Sequence, residues 1–382
     1  MRCHVVNLQP HLLGAEVYTI FFVRALLAAG CDTTLFVHPD ARHWGGLADS
    51  GARLVPVADD QAIAAHLDER AWLVTHAPVS RGFVAAMRGM HLLTGFCHMP
   101  LAGRNAGLLA EYDLVYAVSR YVLSTLPDAG LTRVYPEPLY GVAEFNRFAV
   151  GATDSVRAGQ VVSGDMRKLR DRTLAWLAPL QAAFAPARTF VRRPGPTLGI
   201  VSAIGPIKQF DVLFGIIAPR LAAHPDVHLE IFGNGGYRSV ADLRRALRPL
   251  GKRARFWGRQ QSPERIYPQL DYLMSGLPEK EALGLNIIEA QVLGTPVLAV
   301  NAPPFTETVA DGATGHLYRD PREDGGADFA RVLRLALQAP RPDPLAATAH
   351  LERFSQLAYN ERIARLVAHA QDLLDRPPTH DH

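Results

Sequence analysis

The feature that most constrains the fold is an alternation of short apolar runs with amphipathic stretches, which occurs in both halves of the chain. The apolar runs of the N-terminal half are residues 3–8, 33–38, 53–57, 72–76, 92–98 and 114–119. Those of the C-terminal half are residues 198–203, 228–232, 254–257, 272–275 and 296–301. Continuous apolar runs are typical of buried parallel strands, and helices are predicted between them, as at 16–29. The sequence therefore predicts an α/β protein with two doubly wound sheets.

The domain boundaries are predicted from the place where this alternation stops. Residues 150–196 hold no clear strand, several arginines and four prolines, so we interpret them as a helical excursion followed by a linker. We expect one domain over 1–190, which includes the excursion, and a second over 195–350. The stretch 351–376 is predicted as a single long helix that packs back toward the first domain.

Composition excludes several classes of protein. A net charge of +3 over 382 residues gives no case for a nucleic-acid partner. Three cysteines without a CxxC pair argue against a disulfide framework or a zinc site. The N-terminus has no secretory signal pattern, which predicts a cytoplasmic protein. The basic stretch 167–184 leaves peripheral contact with a membrane surface open, although a partly packed helix is the simpler interpretation.

The segment 281–296 carries the clearest chemical signal. Glu281 and Glu289 are eight residues apart and flank Gly284-Leu285, where an apolar helix is predicted to begin. Carboxylates accept hydrogen bonds, so they suit the hydroxyls of a sugar or a ribose. A helix N-terminus in a glycine turn suits a phosphate. The segment thus predicts a nucleotide-sugar site, although a solvated pair of glutamates on a surface helix would have the same spacing.

The order of elements around this segment resembles the signature of GT-B fold glycosyltransferases, in particular the retaining enzymes of family 4. The matching residues are Pro-Glu-Lys-Glu at 278–281, Gly-Leu at 284–285, Gly-Thr-Pro at 294–296 and the turn at 311–315. The resemblance implies two Rossmann-like domains that face an interdomain cleft. It also implies transfer of a hexose from a nucleotide sugar to an acceptor hydroxyl, with retained anomeric configuration and without a metal or another cofactor.

The same resemblance assigns roles to residues of the C-terminal domain. Glu289 is expected on the ribose, Lys208 on the donor diphosphate and Glu281 on the sugar hydroxyls. Gly284 and Leu285 are expected at the phosphates. Gly233 begins a turn that could admit the nucleotide, although a plain β-α turn explains it equally well.

Two further matches lie in the N-terminal domain. Gly14-Ala15-Glu16 corresponds to the family's glycine loop and is expected on the acceptor side, although helix capping accounts for it as well. His98 follows a strand and corresponds to a histidine beside the donor sugar, with an ordinary structural histidine as the alternative. His76 is similarly placed, with a weaker signal.

The sequence departs from the family pattern at Ala203. The family supplies an arginine to the donor diphosphate at this position, and its loss removes a bidentate phosphate ligand. Lys280 and Arg259 are the nearest candidates to replace it; otherwise the enzyme is impaired.

The resulting functional prediction is a hexosyltransferase of cell-surface polysaccharide or other glycoconjugate synthesis. Its partners are a nucleotide-sugar donor and a glycan, lipid-linked or small-molecule acceptor. Two alternatives stay open: a sugar-nucleotide epimerase on the same fold, and a non-catalytic protein that binds nucleotide sugars or carbohydrates. The sequence does not specify the nucleotide, the sugar, the acceptor or the oligomeric state.

Overall fold

The fold was analysed in a computed structural model, which describes residues 1–11, 14–67, 69–143, 156–162 and 188–376. The chain divides into two compact units. Unit 1 consists of Met1–Ala143 with Glu352–His382, and unit 2 consists of Glu144–Leu351, each with the gaps just given. The first unit therefore takes in the end of the chain, and the change from one unit to the next falls well before the predicted boundary near residue 190.

Unit 1 contains a parallel six-stranded sheet. Its strands are β1 Arg2–Asn7, β2 Asp32–Val37, β3 Arg53–Pro56, β4 Trp72–Thr75, β5 Leu92–Cys97 and β6 Leu114–Ala117. The strand order is β3-β2-β1-β4-β5-β6, with Cys3 of β1 paired to Thr33 on one side and Trp72 on the other. This is the Rossmann order, in which the direction of winding changes between β1 and β4 and leaves a crevice at the carboxyl ends of those strands.

Unit 2 repeats the arrangement. Its strands are β7 Thr197–Val201, β8 His228–Phe232, β9 Ala254–Phe256, β10 Tyr272–Met274, β11 Val297–Val300 and β12 Gly315–Tyr318. They pair in parallel in the order β12-β11-β10-β7-β8-β9. The predicted pair of doubly wound sheets is confirmed. β12 was not predicted, because its four residues, Gly-His-Leu-Tyr, do not form a recognisable apolar run.

Helices connect the strands and cover the sheets. In the described residues they are α1 Gly14–Ala28, α2 Gly45–Ala48, α3 Arg81–Met87, α4 Arg120–Thr125, α5 Phe210–Ala222, α6 Tyr237–Ala246, α7 Leu285–Val292, α8 Phe305–Thr308, α9 Pro321–Asp324, α10 Ala327–Gln338, α11 Thr348–Glu352 and α12 Gln356–Asp375. Short 3-10 turns lie at Gln61–His66, Gly107–Glu111, Pro127–Ala129, Arg248–Arg253, Pro263–Arg265, Tyr267–Gln269 and Pro344–Ala346.

The prediction of one continuous helix over 351–376 is wrong. The segment contains the end of α11 and all of α12, separated at residues 353–355. Ser355 has extended backbone angles, and its hydroxyl accepts a hydrogen bond from the N–H of Ala358 at 3.2 Å. A serine N-cap of this kind begins a new helix. α12 packs against α1 within unit 1, where the rings of Tyr359 and Tyr18 are 5.7 Å apart.

The described part of the predicted helical excursion is extended. Phe190 donates its N–H to Val156 at 2.7 Å, and Ala158 donates to Arg188 at 2.7 Å. Gly159 in turn donates to Trp257 at 2.6 Å, which joins this short ladder to the end of β9. Residues 156–162 and 188–190 therefore belong to the edge of unit 2. The remainder of the excursion, including the basic stretch 167–184, lies outside the described residues.

A buried carboxylate fixes the edge of the second sheet. Glu230 in β8 is fully buried and accepts hydrogen bonds from Arg193 at 2.9 Å, Arg255 at 2.6 Å and the indole of Trp257 at 2.7 Å. The donors come from two segments of the chain, since Arg255 and Trp257 both lie in or directly after β9, so Glu230 ties the chain at Arg193 to β9. A buried charge needs this degree of pairing to offset the loss of hydration.

Loss of the Ser355 cap is expected to weaken the fold. Ser355→Ala should lower the free energy of unfolding by about 1 kcal/mol, because the N-terminal N–H groups of α12 lose their side-chain acceptor. Urea denaturation measures this difference. Ser124→Ala, which removes an exposed hydroxyl that does not cap a helix start, is the control and should change stability by less than about 0.5 kcal/mol. Equal effects of the two substitutions would show that the cap has no special role.

Candidate functional site

In unit 2, two loops meet at the carboxyl ends of β7 and β10. Lys208 lies in the first loop and Glu281 in the second, and the Lys208 ammonium forms an ion pair with the Glu281 carboxylate. A backbone hydrogen bond also connects the two loops, since Leu277 donates its N–H to the Lys208 carbonyl at 3.1 Å. At Gly276 a Cβ atom would lie 2.0 Å from that carbonyl oxygen, so only glycine allows the loops to approach so closely. Two of the predicted donor residues are thus in direct contact.

Glu281 also holds the turn that begins α7. Its second carboxylate oxygen, Oε1, accepts the N–H of Gly284 at 3.2 Å and that of Ala282 at 3.3 Å. Gly284 has a φ of 84°, in the left-handed region that favours glycine, and Leu285 is the first residue of the helix. The buried carboxylate therefore connects the Lys208 charge to the helix start. Its predicted contact with sugar hydroxyls stays a prediction, since both of its oxygens already have protein partners.

Glu289 lies on α7 and is partly buried. Its Oε2 accepts a hydrogen bond from the Tyr267 hydroxyl at 2.7 Å, while Oε1 makes no hydrogen bond with the described residues. Burial raises the pKa of the Glu289 carboxyl above its usual range, and the Tyr267 hydrogen bond and the Lys208 charge oppose that rise. One oxygen is therefore oriented by the protein while the other is available to a ligand hydroxyl. No sequence pattern pointed to Tyr267.

The remaining predicted donor residues are arranged less distinctively. Lys280 is half-buried and makes no hydrogen bond or ion pair with the described residues. Arg259 is exposed, and its backbone N–H donates to Gln160 at 3.0 Å. Ala203 is exposed in the loop after β7, so the position of the expected arginine carries no charge. Lys280 directly precedes Glu281 in the chain, but its ammonium forms no hydrogen bond or ion pair with Lys208 or Glu281 among the described residues.

Gly233 has a structural explanation. A Cβ atom there would lie 1.8 Å from the carbonyl oxygen of Ser202. Only glycine therefore lets the turn after β8 pass the loop after β7 without a clash. Its N–H donates to Gly258 at 2.9 Å and is not available to a nucleotide. The plain β-α turn that the sequence left open accounts for this glycine.

In unit 1, the acceptor-side residues border a cavity of about 650 Å³. Ala15 and Glu16, in the first turn of α1, line it together with His76 and His98. Glu16 is buried, whereas Gly14 is exposed and a Cβ atom there would meet nothing within 4 Å. The protein itself therefore does not require glycine at position 14.

His98 is paired with His76 in this cavity. Nδ1 of His76 and Nε2 of His98 are 3.3 Å apart, so one ring donates and the other accepts. Phe96 stacks on both rings, and Tyr18 meets His98 edge-on with ring centres 5.3 Å apart. Burial lowers the pKa of His98 to about 4 and, with the nearby His98, holds the pKa of His76 well below 6.5. Both imidazoles are neutral at pH 7.

Neither a metal centre nor a membrane span was found in the part of the chain that the structure describes. There, no three His, Cys, Asp or Glu side chains are grouped so that they could hold a metal ion. No helix in those ranges combines the length and the apolar character needed to cross a bilayer.

Comparison with known proteins identifies the domain that contains the Lys208–Glu281 pair. Residues 195–338 match the family model described as Glycosyl transferases group 1. The HepE protein of Anabaena, whose crystal structure contains UDP and glucose, superposes with a TM-score of 0.68 at 16% identity over 97% of this chain and 100% of its own. This chain has the GT-B fold, and its residues 195–338 resemble the glycosyl transferases group 1 family. The predicted resemblance to GT-B glycosyltransferases is confirmed, and at this identity the likeness to HepE concerns the fold alone.

Sequence relatives add more specific names. A D-inositol 3-phosphate glycosyltransferase of Nocardia farcinica is 34% identical over 173 residues, which is 42% of this chain and 38% of that protein. The protein of the same name from Streptomyces avermitilis is 28% identical over 389 aligned residues, which cover 87% of this chain and 74% of that protein. The first match thus spans less than half of either protein.

Removal of one partner of the Lys208–Glu281 ion pair is expected to destabilise the fold. Lys208→Met should lower the free energy of unfolding by about 3 kcal/mol, because Glu281 stays buried without its counter-ion. Denaturant titration of single and double variants measures the coupling. Adding Glu281→Gln to Lys208→Met removes the unpaired charge and should restore part of the loss. A double variant whose destabilisation equals the sum of the single effects would contradict the pairing.

The pair of His76 and His98 predicts a stability loss in acid. The folded chain keeps His98 neutral down to about pH 4, whereas an unfolded histidine takes up a proton below 6.5. Stability is therefore fully present above about pH 6.5 and is lost as the pH falls toward 4, by up to about 3 kcal/mol for this residue. Unfolding free energies of the wild type and His98→Gln at pH 7 and pH 5 test this. The variant should lose less stability between the two pH values, and equal losses would contradict the assignment.

Proposed function

We propose that the protein is a glycosyltransferase that moves a hexose from a nucleotide-sugar donor to an acceptor hydroxyl. The observation that carries the proposal is the contact of Lys208 with Glu281 at the start of α7, within the region that matches the glycosyltransferase family. The name of the Streptomyces relative and the UDP and glucose of the HepE structure support the same class of reaction. Activity, substrates and partners of this chain are proposals.

The start of α7 suits the donor diphosphate. The first N–H groups of a helix have no partner inside it, and the positive end of the helix dipole favours an anion. Lys208 adds a full positive charge beside this helix start, held there by Glu281. Glu289 lies one to two turns further along α7 with an oxygen available for the ribose hydroxyls. Leu285 would then contact the phosphates, as the family resemblance implies, whereas the N–H of Gly284 already donates to Glu281.

The proposed catalysis depends on where negative charge develops during transfer of the hexose. The bond between the anomeric carbon and the phosphate oxygen breaks, and its electron pair leaves with the nucleoside diphosphate. The acceptor oxygen forms a new bond to the anomeric carbon, and its proton passes to the departing diphosphate. Lys208 and the helix start stabilise the negative charge that accumulates in this step. We propose that the configuration is retained and that no metal is needed, because these groups supply the charge that a metal would provide.

The absence of the expected arginine favours a second candidate function. Ala203 gives the diphosphate no bidentate ligand, and among the described residues the Lys280 ammonium forms no hydrogen bond or ion pair with Lys208 or Glu281. A protein that binds a nucleotide sugar without transferring it would have such a weakened site. The proposed cytoplasmic location rests on sequence composition, and a peripheral membrane contact rests on the basic stretch 167–184. A role in cell-surface polysaccharide or other glycoconjugate synthesis rests on the family resemblance alone.

Donor binding is tested first by thermal shift with UDP-, GDP- and ADP-sugars, since a ligand that binds the folded state raises the melting temperature. With the nucleotide that binds, Lys208→Ala and Glu289→Ala should each raise Kd roughly tenfold or more, because each removes a charged hydrogen-bond partner. Lys252→Ala, which removes an exposed lysine of unit 2, is the charge-matched control and should leave Kd unchanged. Unchanged affinity in both site variants would refute the donor site.

Turnover separates the candidate functions. With labelled donor and a mixture of glycan and lipid acceptors, a transferase releases nucleoside diphosphate and labels an acceptor. A binding protein releases no nucleotide, and an epimerase converts the donor when no acceptor is present. For a transferase, NMR of the product should show the same anomeric configuration as the donor, and inversion would contradict the proposed retention.

A further inference from the structure

The Gly-Thr-Pro segment at 294–296 places a buried threonine just after the end of α7. Thr295 is 1% exposed, and its N–H donates to the Ala290 carbonyl at 2.8 Å, which fixes the residue against the last turn of the helix. Its hydroxyl donates to the carbonyl of Tyr267. The segment between β9 and β10, which contains Tyr267, is therefore attached to the C-terminal end of α7.

Tyr267 connects this threonine to Glu289. The tyrosine is fully buried, and its carbonyl accepts a second hydrogen bond from the N–H of Leu270 at 3.0 Å. At the other end of the residue, the phenol hydroxyl donates to Oε2 of Glu289 at 2.7 Å. Thr295 and Glu289 belong to one helix and the turn that follows it. Tyr267 is therefore fixed at both ends by the same element.

The Tyr267 hydroxyl is a permanent donor to Glu289. Burial, together with the negative charge of Glu289, raises the pKa of the phenol well above its usual range, so the hydroxyl keeps its proton. Burial and the charge of Glu264 raise the pKa of the Glu289 carboxyl, whereas the Tyr267 hydrogen bond and the Lys208 charge lower it. Loss of the hydroxyl would thus remove one of the two groups that favour the charged carboxylate, the form that only accepts hydrogen bonds.

The same hydrogen bond sets the direction of the second carboxylate oxygen. Oε1 of Glu289 makes no hydrogen bond with the described residues, and Glu289 is only partly buried. A rotation of the side chain that turned Oε1 elsewhere would break the contact between Oε2 and the phenol. The protein therefore orders this glutamate before a ligand binds, and the ligand does not have to supply the free energy for that ordering.

We propose that Tyr267 and Thr295 are positioning residues for the ribose of the donor. Thr295 holds the Tyr267 backbone, and the Tyr267 hydroxyl holds Glu289 in the conformation in which Oε1 accepts a hydrogen bond from a ribose hydroxyl. Both residues act through Glu289 rather than by touching the nucleotide. This inference rests on the proposed function, which assigns Glu289 to the ribose, and it gives the Gly-Thr-Pro segment a role in donor binding.

The test compares nucleotides with and without ribose hydroxyls. Isothermal titration calorimetry measures Kd for UDP, GDP and ADP and for their 2′,3′-dideoxy counterparts. Tyr267→Phe keeps the ring and removes the hydroxyl that orients Glu289. For the base that binds, this variant should raise Kd of the ribonucleotide roughly tenfold and that of the dideoxy nucleotide less than about twofold, since only the ribonucleotide uses Glu289. An equal rise for both probes, or no rise for either, overturns the proposal.

Tyr318→Phe is the matched control. Tyr318 is another fully buried tyrosine of unit 2, in β12, and its hydroxyl has no hydrogen-bond partner in the described residues. The substitution removes the same atom and should leave Kd for both probes unchanged. A rise equal to that of Tyr267→Phe would show a general effect of altered packing and would contradict the proposal.

A double variant tests whether Tyr267 acts through the carboxylate. In a Glu289→Ala background, Tyr267→Phe should change Kd of the ribonucleotide by less than about twofold, because no carboxylate is left to orient. A rise in that background as large as the one in the wild-type background would mean that Tyr267 acts by another route, and the proposal would be wrong.

Thr295→Val removes the hydroxyl at the other end of Tyr267 and gives an independent measurement. The Tyr267 carbonyl then keeps only its hydrogen bond from Leu270, so the tyrosine is held less firmly. Kd of the ribonucleotide should rise roughly threefold, with that of the dideoxy nucleotide unchanged. If Thr295→Val affects both probes equally or neither of them, the proposed role of Thr295 fails.

The wild type separates this inference from the proposed function. If a nucleotide binds and Lys208→Ala weakens its binding, yet the ribose and dideoxy forms bind equally tightly, the ribose inference fails and the proposed donor site stands. If no nucleotide binds to the wild type, the proposed function fails, and this inference fails with it.

Discussion

The ion pair between Lys208 and Glu281 is the interaction on which the candidate donor site depends. It joins the loops after β7 and β10, and through the N–H of Gly284 it also fixes the start of α7. A partly buried ion pair contributes little net stability, because the loss of hydration offsets most of the attraction. The ion pair instead fixes a position. It holds the Lys208 ammonium next to the positive end of the α7 dipole, and both would attract an anionic ligand.

The two units have contrasting electrostatics. The candidate site of unit 2 combines Lys208 with a helix start and two carboxylates, which suits a ligand that has both phosphate and hydroxyl groups. The cavity of unit 1 has a neutral histidine pair, an apolar wall and the carboxylate of Glu16. Among the described residues, a lysine therefore lies at the unit 2 site and none lines the unit 1 cavity.

The sequence predicted the two sheets well because parallel strands are continuous apolar runs, which periodicity detects directly. It predicted single residues such as Lys208 and Glu281 through family motifs, but not their mutual ion pair, since loop conformations have no periodic signal. Tyr267 was missed for the same reason. The break in the last helix depends on one N-cap at Ser355, which competes with the helical pattern around it. Gly233 matched a ligand loop in sequence yet serves a close backbone approach.

The most direct test of the account is an NMR titration of lysine side chains. The chain has only four lysines, at 168, 208, 252 and 280, so labelling with ¹³C-lysine gives four Cε resonances, and Lys208→Arg identifies that of Lys208. A nucleoside diphosphate that raises the melting temperature should shift the Lys208 resonance saturably while that of Lys252 stays in place. If the nucleotide binds and the Lys208 resonance does not move, Lys208 does not contact the diphosphate and the central claim is wrong.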